Sequence, residues 1–172
     1  MDEWDELTHR HGPSVWRTIC RLLGAADGAD DPFQQTFLEY FELSRRRTID
    51  RPHALLTRIA TRRAIDVIRQ RAAARARMTA LPDDIAAPSA GPLKAMAGRE
   101  TLDLLRGAIA DLPEQESAVF CLAQLEQMES TDVARVLNLT PNHVAVLLHR
   151  ARKRLQARLT RSDRIDAKVS HE

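Results

Sequence analysis

The stretch STDVARVLNLTPNHVAVLLHRARKRL (residues 130–155) decides how this chain folds, because it predicts two helices joined by a tight turn. Asn138 ends the first helix, since asparagine tolerates the left-handed conformation better than most residues. Thr140 can cap the second helix, and Pro141 falls at its first position, where a missing backbone N–H costs nothing. Apolar residues recur at helical spacing along one side of each helix. They are Val133, Ala134 and Leu137 in the first helix and Val144, Leu147, Leu148, Ala151 and Leu155 in the second.

The opposite side of the second helix is polar and basic. It carries Asn142, Val146, His149 and Lys153, flanked by Ala145 and Arg150. A short helix, a tight turn and a long helix with a basic outer face are typical of a helix-turn-helix, whose second helix enters the major groove of DNA. The alternative is a helical hairpin with a solvated basic face. The agreement of cap, turn and apolar stripe favours the helix-turn-helix.

The rest of the chain predicts an all-α protein. Its 172 residues suffice for one ordinary domain or two small ones, and no run alternates apolar and polar residues as a strand does. Purely apolar runs such as residues 144–148 are far shorter than a membrane span. The N-terminus has no apolar targeting core, and the two cysteines, Cys20 and Cys121, suit a reducing compartment. We therefore expect a cytoplasmic protein without membrane insertion.

The charge pattern alternates along the chain, although the net charge is only +2. Residues 1–43 carry 9 acids and 3 bases, and residues 44–80 carry 2 acids and 11 bases. Residues 81–132 carry 10 acids and 3 bases, and residues 133–172 carry 3 acids and 9 bases. Each half is an acidic segment followed by a basic one. Two basic surfaces indicate two contacts with a polyanion, for which nucleic acid is the obvious candidate, and the acidic segments are free to face a protein.

The apolar periods divide the chain into two small helical domains joined by a flexible linker. Residues 9–78 form the first domain, whose helices are expected over 11–23, from a cap at Asp31, and from Pro52 onwards. Residues 79–98 are rich in Ala, Pro, Gly and Asp without an apolar period, so they read as the linker. Residues 99–160 form the second domain, with a first helix from Glu100, and the polar tail after that is expected to fray.

The third helix of the first domain has an arginine-rich outer face. Its expected members are Arg58, Thr61, Arg62, Arg63, Arg69 and Arg71. Such a face is often merely solvated, and Asp66 can pair with neighbouring arginines within the helix. On the helix before it, a stripe of aromatic residues that includes Phe37 is expected to pack in the core. Core packing does not account for the polar side of that helix.

These patterns resemble the bacterial RNA polymerase sigma factors of the extracytoplasmic-function (ECF) group. Residues 9–75 are similar to sigma region 2, and residues 100–159 to sigma region 4. The motifs that carry the resemblance are ADDPFQQTF (29–37), RIATRRAIDVIR (58–69), LPEQESAVF (112–120) and TPNHVAVLLHRARKRL (140–155). The segment PHALLTRIA (52–60) most resembles the iron-starvation branch of the group.

The resemblance implies partners and roles. The partners would be core RNA polymerase, through its β′ clamp helices and β flap, promoter DNA, and an anti-sigma factor. The residues that would contact polymerase are Asp30, Asp31, Gln34, Gln35 and Phe37. The arginine-rich face with Thr61 would engage the −10 element. The −35 element would be read by Thr140, Asn142, His143, Val146, His149, Arg150 and Lys153.

Three residues depart from the family pattern. Pro32 replaces an aliphatic residue in the polymerase-binding motif, so the helix should start or bend there. Arg62 stands where the family commonly has Asn, and Leu55 where many members have an aromatic residue. By the resemblance, both would lie near the surface that opens DNA strands and would affect the sequence preference at the −10 element.

The linker has to reach between two DNA elements. As a free coil, about 20 residues would average roughly 25 Å end to end. Two elements one to two helical turns apart lie roughly 35–70 Å from each other. We therefore expect the linker to be held extended on polymerase, and deletion of about 8 of its residues to impair transcription.

Two other classes of function remain as alternatives. One is a helix-turn-helix regulator that binds operators without polymerase, which would normally need a dimer surface. The other is an interaction module whose basic faces bind acidic protein. Enzyme chemistry is not favoured, because Asp30 and Asp31 have no nucleophile or base placed beside them by the sequence. No metal site or cofactor is expected, since the histidines lack ligand spacing and no glycine-rich phosphate loop occurs.

Overall fold

The computed structural model describes residues 3–24, 28–79 and 93–169, and in these ranges the chain is all-α, as predicted. Its helices are α1 (Glu3–Leu23), α2 (Asp30–Ser44), α3 (Pro52–Thr79), α4 (Leu93–Ala110), α5 (Glu114–Phe120), α6 (Ser130–Leu137) and α7 (Pro141–Val169). A π-helical turn, Cys121–Leu125, continues α5. None of these described helices is both long and apolar enough to cross a membrane.

The first three helices form the N-terminal bundle. Its core is made by the apolar residues of α1, α2 and α3. These residues recur at helical spacing, so each helix has one apolar side, and the three apolar sides meet. The most deeply buried side chains of this bundle include Val15, Ile19, Phe37, Leu56 and Ile59. The stripe of aromatic residues on α2 therefore packs inward, as predicted.

The helices α5, α6 and α7 form the C-terminal bundle around a second core. Its buried members are Val119, Leu122, Val133, Ala134, Val144 and Leu147. Helix α4 lies between the two bundles. Its residues Ala108 and Ile109, with Leu112 and Cys121, belong to the same apolar cluster as the core of the N-terminal bundle. The two bundles are thus in direct contact.

Three helices extend beyond the ends expected from the sequence. Helix α1 begins at Glu3, not at residue 11, because Trp4 stacks on Phe41 of α2 with ring centroids 4.4 Å apart. Helix α4 begins at Leu93, within the segment expected to be linker. The residues from there onwards are mostly good helix formers, and the helix contains no Pro. Helix α7 continues to Val169, past Thr160, after which the sequence predicts fraying. Residues 80–92 of the expected linker lie outside the described residues.

The start of α2 also differs from the expectation. Asp31 does not cap it: the helix begins at Asp30, and the Ala29 carbonyl accepts the first bond, from the N–H of Phe33 at 3.0 Å. Ala29 is fully buried, so packing fixes where the helix starts. Pro32 lies in the first turn, where its missing N–H leaves no helical hydrogen bond unmade.

Candidate nucleic-acid interface

The turn between α6 and α7 has the geometry that the sequence predicts. Asn138 is left-handed, with φ 56° and ψ 46°. This conformation lets the Leu139 N–H donate to the Ala134 carbonyl at 2.8 Å, which satisfies an acceptor at the end of α6. At the start of α7 the Thr140 hydroxyl accepts from the His143 N–H at 3.2 Å, and Pro141 is the first helical residue. The helix-turn-helix is confirmed.

The outer face of α7 is open to solvent. Every residue expected to read DNA there is exposed: Thr140, Asn142, His143, Val146, His149, Arg150 and Lys153. Val146 is a large apolar side chain that keeps 39% of its surface exposed, so it is available to a thymine methyl group. Hydrophobic burial of Val144 and Leu147 on the opposite side fixes this face outward.

Four basic residues of α7 fall into two sets. Arg154 pairs with Glu116 at 3.1 Å, and Arg158 pairs with Asp111 at 2.7 Å, so these two arginines hold α7 against the segment around α5. Within the described residues Arg150 forms no ion pair, and the same holds for Lys153. The unneutralised positive charge therefore lies on the outer face, where phosphate would approach.

The arginines of α3 are less exposed than expected, because most of them have partners within the chain. Arg62 and Arg63 both donate to the Glu39 carboxylate on α2, the latter at 2.8 Å. The Arg58 guanidinium donates to the Val136 carbonyl at 3.0 Å. Burial lowers the pKa of Arg58, and the nearby positive charges of Arg62 and Arg47 lower it further. The α3 face is therefore positively charged and partly desolvated.

Two members of the α3 face lie further along the helix. The Arg69 guanidinium donates to the carbonyls of Ala110, at 3.1 Å, and Leu112, at 3.0 Å, and lies 3.8 Å from Asp66. Asp66 thus pairs with Arg69, whereas the neighbouring Arg62 and Arg63 pair with Glu39. Arg71 is exposed.

Thr61 and Phe37 are both buried, so neither lies on the surface predicted for it. Thr61 is 1% exposed and lies inside the molecule, because α3 packs on α1 and α2 on one side and on the C-terminal half on the other. Its placement on the outer face is therefore wrong. Phe37 is also 1% exposed and packs on Phe33, with ring centroids 5.1 Å apart. It supports α2 from the core and does not reach the surface that would meet polymerase.

The polar side of α2 remains a candidate protein-binding surface. Asp30, Asp31, Gln34 and Gln35 are all exposed. Leu38, which the sequence reasoning missed, lies one turn beyond them and is 49% exposed. The signal was available, because Leu38 follows Gln34 and Gln35 at i+4 and i+3. The exposed side of α2 therefore combines one apolar side chain with acidic and amide groups.

Each half of the chain matches a family model of known proteins. The family model for Sigma-70 region 2 matches residues 7–74, and that for Sigma-70, region 4 matches residues 102–155. The ECF RNA polymerase sigma factor SigE of Mycolicibacterium smegmatis is 29% identical over 159 residues, which are 91% of this chain and 61% of that protein. The ferric citrate uptake sigma factor FecI of Escherichia coli is 32% identical over 139 residues, 80% of this chain and 78% of that protein.

A solved structure is similar in fold. It is the sigma factor RpoE of Bartonella quintana, crystallised in complex with the anti-sigma factor NepR. The TM-score is 0.54 at 18% sequence identity, and the alignment covers 93% of this chain and 98% of that one.

Proposed function

Because this chain belongs to the sigma-70 family, in its ECF group of transcription initiation factors, we propose that it binds core RNA polymerase and directs it to promoters through −10 and −35 elements. The observation that carries the proposal is a helix-turn-helix whose outer face is exposed and unneutralised, combined in one chain with a second arginine-rich helix. The chain spans 61% of the length of the mycobacterial relative.

Helix α7 reads the −35 element in this proposal. Arg150 and Lys153 supply phosphate affinity, which falls with salt and carries no sequence information. Discrimination comes from side chains that reach base edges: Asn142 suits adenine, and Val146 suits a thymine methyl. Each good base contact contributes about 1–3 kcal/mol, so one such helix binds weakly without a second site.

Helix α3 engages the −10 element. Arg62 and Arg63 share the Glu39 carboxylate, which fixes both guanidinium groups in one place and halves their combined charge. Since Arg62 replaces the asparagine common in the family, this fixed pair makes the −10 contact of this chain more electrostatic than one based on an amide.

The exposed side of α2 binds the β′ clamp helices, with Leu38 as its apolar centre and Asp31 as its charged rim. The C-terminal bundle binds the β flap. An anti-sigma factor is a further partner, consistent with the complex formed by the Bartonella relative. A cytoplasmic location follows from these partners.

The test is transcription in vitro with core RNA polymerase and a random promoter library. Asn142→Ala and His149→Ala should reduce promoter use without changing the affinity for core polymerase, whereas Asp31→Lys should reduce that affinity. Gln124→Ala, which removes an exposed amide from the π-helical turn and not from α7, is the control for the first two variants. Asp5→Lys on α1 makes the same charge change as Asp31→Lys at another exposed site.

Two results would contradict the proposal. One is equal loss of polymerase affinity in the α7 variants and in Asp31→Lys, because the two surfaces would then not have separate roles. The other is tight binding to duplex DNA by the protein alone with no association with core polymerase, which is the behaviour of an operator-binding regulator.

A further inference from the structure

Two neighbouring arginines of α3 share one oxygen of a carboxylate on α2. Arg62 and Arg63 both donate through Nη2 to Oε2 of Glu39, the latter at 2.8 Å. The Glu39 side chain keeps 18% of its surface exposed, whereas Arg62 keeps 41% and Arg63 keeps 34%. The carboxylate therefore lies deeper than the two guanidinium groups, which stay accessible to a ligand that approaches from solvent.

The shared oxygen gives the two arginines an arrangement that α3 alone does not provide. Consecutive residues of a helix do not face each other, since about 3.6 residues make one turn. Two guanidinium groups also carry like charges, which repel each other at short distance. A carboxylate between them attracts both, so Arg62 and Arg63 converge on Glu39 instead of pointing in separate directions.

Glu39 also balances charge beyond its two hydrogen-bond partners. Burial lowers the pKa of Arg58, one turn before Arg62, and the positive charges of Arg62 and Arg47 lower this pKa further. The negative charges of Glu39 and Glu114 act against that lowering. The one carboxylate of Glu39 thus moderates the positive potential of three neighbouring α3 arginines.

The fold does not depend on this carboxylate. Phe37 and Tyr40 of α2 are buried in the same apolar cluster as Ile59 of α3, and this packing holds the two helices together. Ion pairs whose arginines stay about a third exposed or more contribute little to stability. The pairs with Glu39 therefore do more for the placement of the guanidinium groups than for folding.

The placement of a guanidinium group decides whether it can distinguish bases. A free guanidinium binds any phosphate, and phosphate contacts carry no sequence information. A guanidinium with a fixed direction can form paired hydrogen bonds with the edge of one base. Because Arg62 stands where the family commonly has an asparagine, this chain carries an additional positive charge there, and Glu39 offsets it.

We propose that Glu39 is a positioning residue for −10 recognition: it directs Arg62 and Arg63 to one place on the DNA and offsets one of their two charges, which limits binding to phosphates of any sequence. This inference rests on the proposed function. It gives Glu39→Gln two opposite effects. Binding to DNA of arbitrary sequence becomes tighter, because a positive charge is released, and the preference for particular −10 bases falls, because specificity is a difference of affinities. General damage to the fold would weaken both.

A promoter library transcribed by core polymerase with the full chain measures the base preference. The library has random bases at the −10 and −35 positions, and a sequenced barcode in each transcript identifies its promoter. Glu39→Gln should lower the −10 preference at least about fivefold, the smaller value for one base contact. The −35 preference should change by less than about twofold, because α7 is untouched. The control is Glu42→Gln, the same chemical change at an exposed glutamate of α2, which should change neither preference.

Single-strand binding by the full chain measures the released charge. The ligand is a short fluorescent oligonucleotide of mixed sequence, and its anisotropy is followed over a series of salt concentrations. Glu39→Gln should bind more tightly at low salt, with a slope of log K against log salt that is steeper by about 0.7, the value for one further phosphate contact. Arg62→Gln, added to Glu39→Gln, removes the extra charge and should return the slope to that of the parent.

The outcomes separate this inference from the proposed function. If Glu39→Gln keeps the −10 preference of the parent, or loses the −10 and −35 preferences equally, Glu39 is not a positioning residue. The inference is also overturned if Glu39→Gln does not tighten single-strand binding, or if the double variant keeps the steeper slope, because the charge of Glu39 would then not act through Arg62. If polymerase with the parent chain selects no bases at the −10 positions, the proposed function itself fails.

Discussion

The left-handed conformation of Asn138 makes the stability of the helix-turn-helix depend on which residue stands there. An ordinary L-residue in this conformation is destabilised by roughly 1–2 kcal/mol, asparagine by less, and glycine has no steric penalty there. At φ 56° and ψ 46° the position lies in the middle of the left-handed region. Asn138→Ala should therefore reduce the free energy of unfolding by about 1 kcal/mol. For a chain of this length, that corresponds to a fall of about 2–4 °C in Tm.

Two matched variants isolate the backbone effect. Asn138→Gly should stay within about 0.5 kcal/mol of the parent, because glycine adopts the conformation freely but has a more flexible unfolded state. Asn142→Ala makes the same chemical change at a helical position of α7, where alanine is at least as favourable as asparagine. Urea unfolding followed by circular dichroism gives all three free energies.

The result that would refute this reasoning is specific. If Asn138→Gly is as unstable as Asn138→Ala, the asparagine side chain matters more than the backbone conformation. If Asn138→Ala and Asn142→Ala are equally stable, the turn does not require a left-handed residue. Either result would remove the physical basis for predicting this turn from the sequence.

Three further predictions concern the surface and the titratable groups. Leu38→Asp should weaken binding to core polymerase at least about tenfold without lowering Tm, whereas Leu102→Asp, at a site on α4 that is also 49% exposed, should bind normally in the same pull-down titration. Burial, and then the neighbouring charges of His53 and Arg10, lower the pKa of His11, so the folded state binds that proton less readily than the unfolded one. Stability from this group is present above its unfolded pKa of about 6.5 and is lost below it, and His11→Gln should flatten the dependence of the urea midpoint between pH 7 and 5; an unchanged slope would count against it. Burial, followed by the Glu126 charge, raises the pKa of Cys121 to about 12, so maleimide should label this thiol only as the chain unfolds, and mass spectrometry showing rapid labelling of the native protein would contradict the burial.

The helix-turn-helix could be predicted because its determinants are local. The cap at Thr140, the turn at Asn138 and the apolar spacing of α7 lie within one short stretch, and each favours the same structure. Local and tertiary preferences agree there, which is the condition under which sequence reasoning succeeds. The exposed polar side of α2 followed in the same way from helical periodicity, except that Leu38 was overlooked.

The errors arose where a residue's environment comes from a distant part of the chain. The start of α1 depends on Trp4 stacking against α2, and the start of α2 on the burial of Ala29. Thr61 reads as an outer-face residue in an isolated helix, but α3 has neighbours on two sides. Glu39 could be seen on the polar side of α2, but its pairing with two arginines of α3 could not.

The amino-acid sequence by itself determined the all-α class, the two family regions and the exposed polar and basic face of α7, since these depend on spacing, caps and charge along short segments. Only the tertiary structure decided that Arg58 and Arg69 of α3 donate to the second half of the chain. The acceptors for Arg58 and Arg69 are backbone carbonyls, which every residue possesses and no sequence pattern marks. Their availability depends on where helices end and which helix ends meet, and that is fixed by packing between segments far apart in the chain.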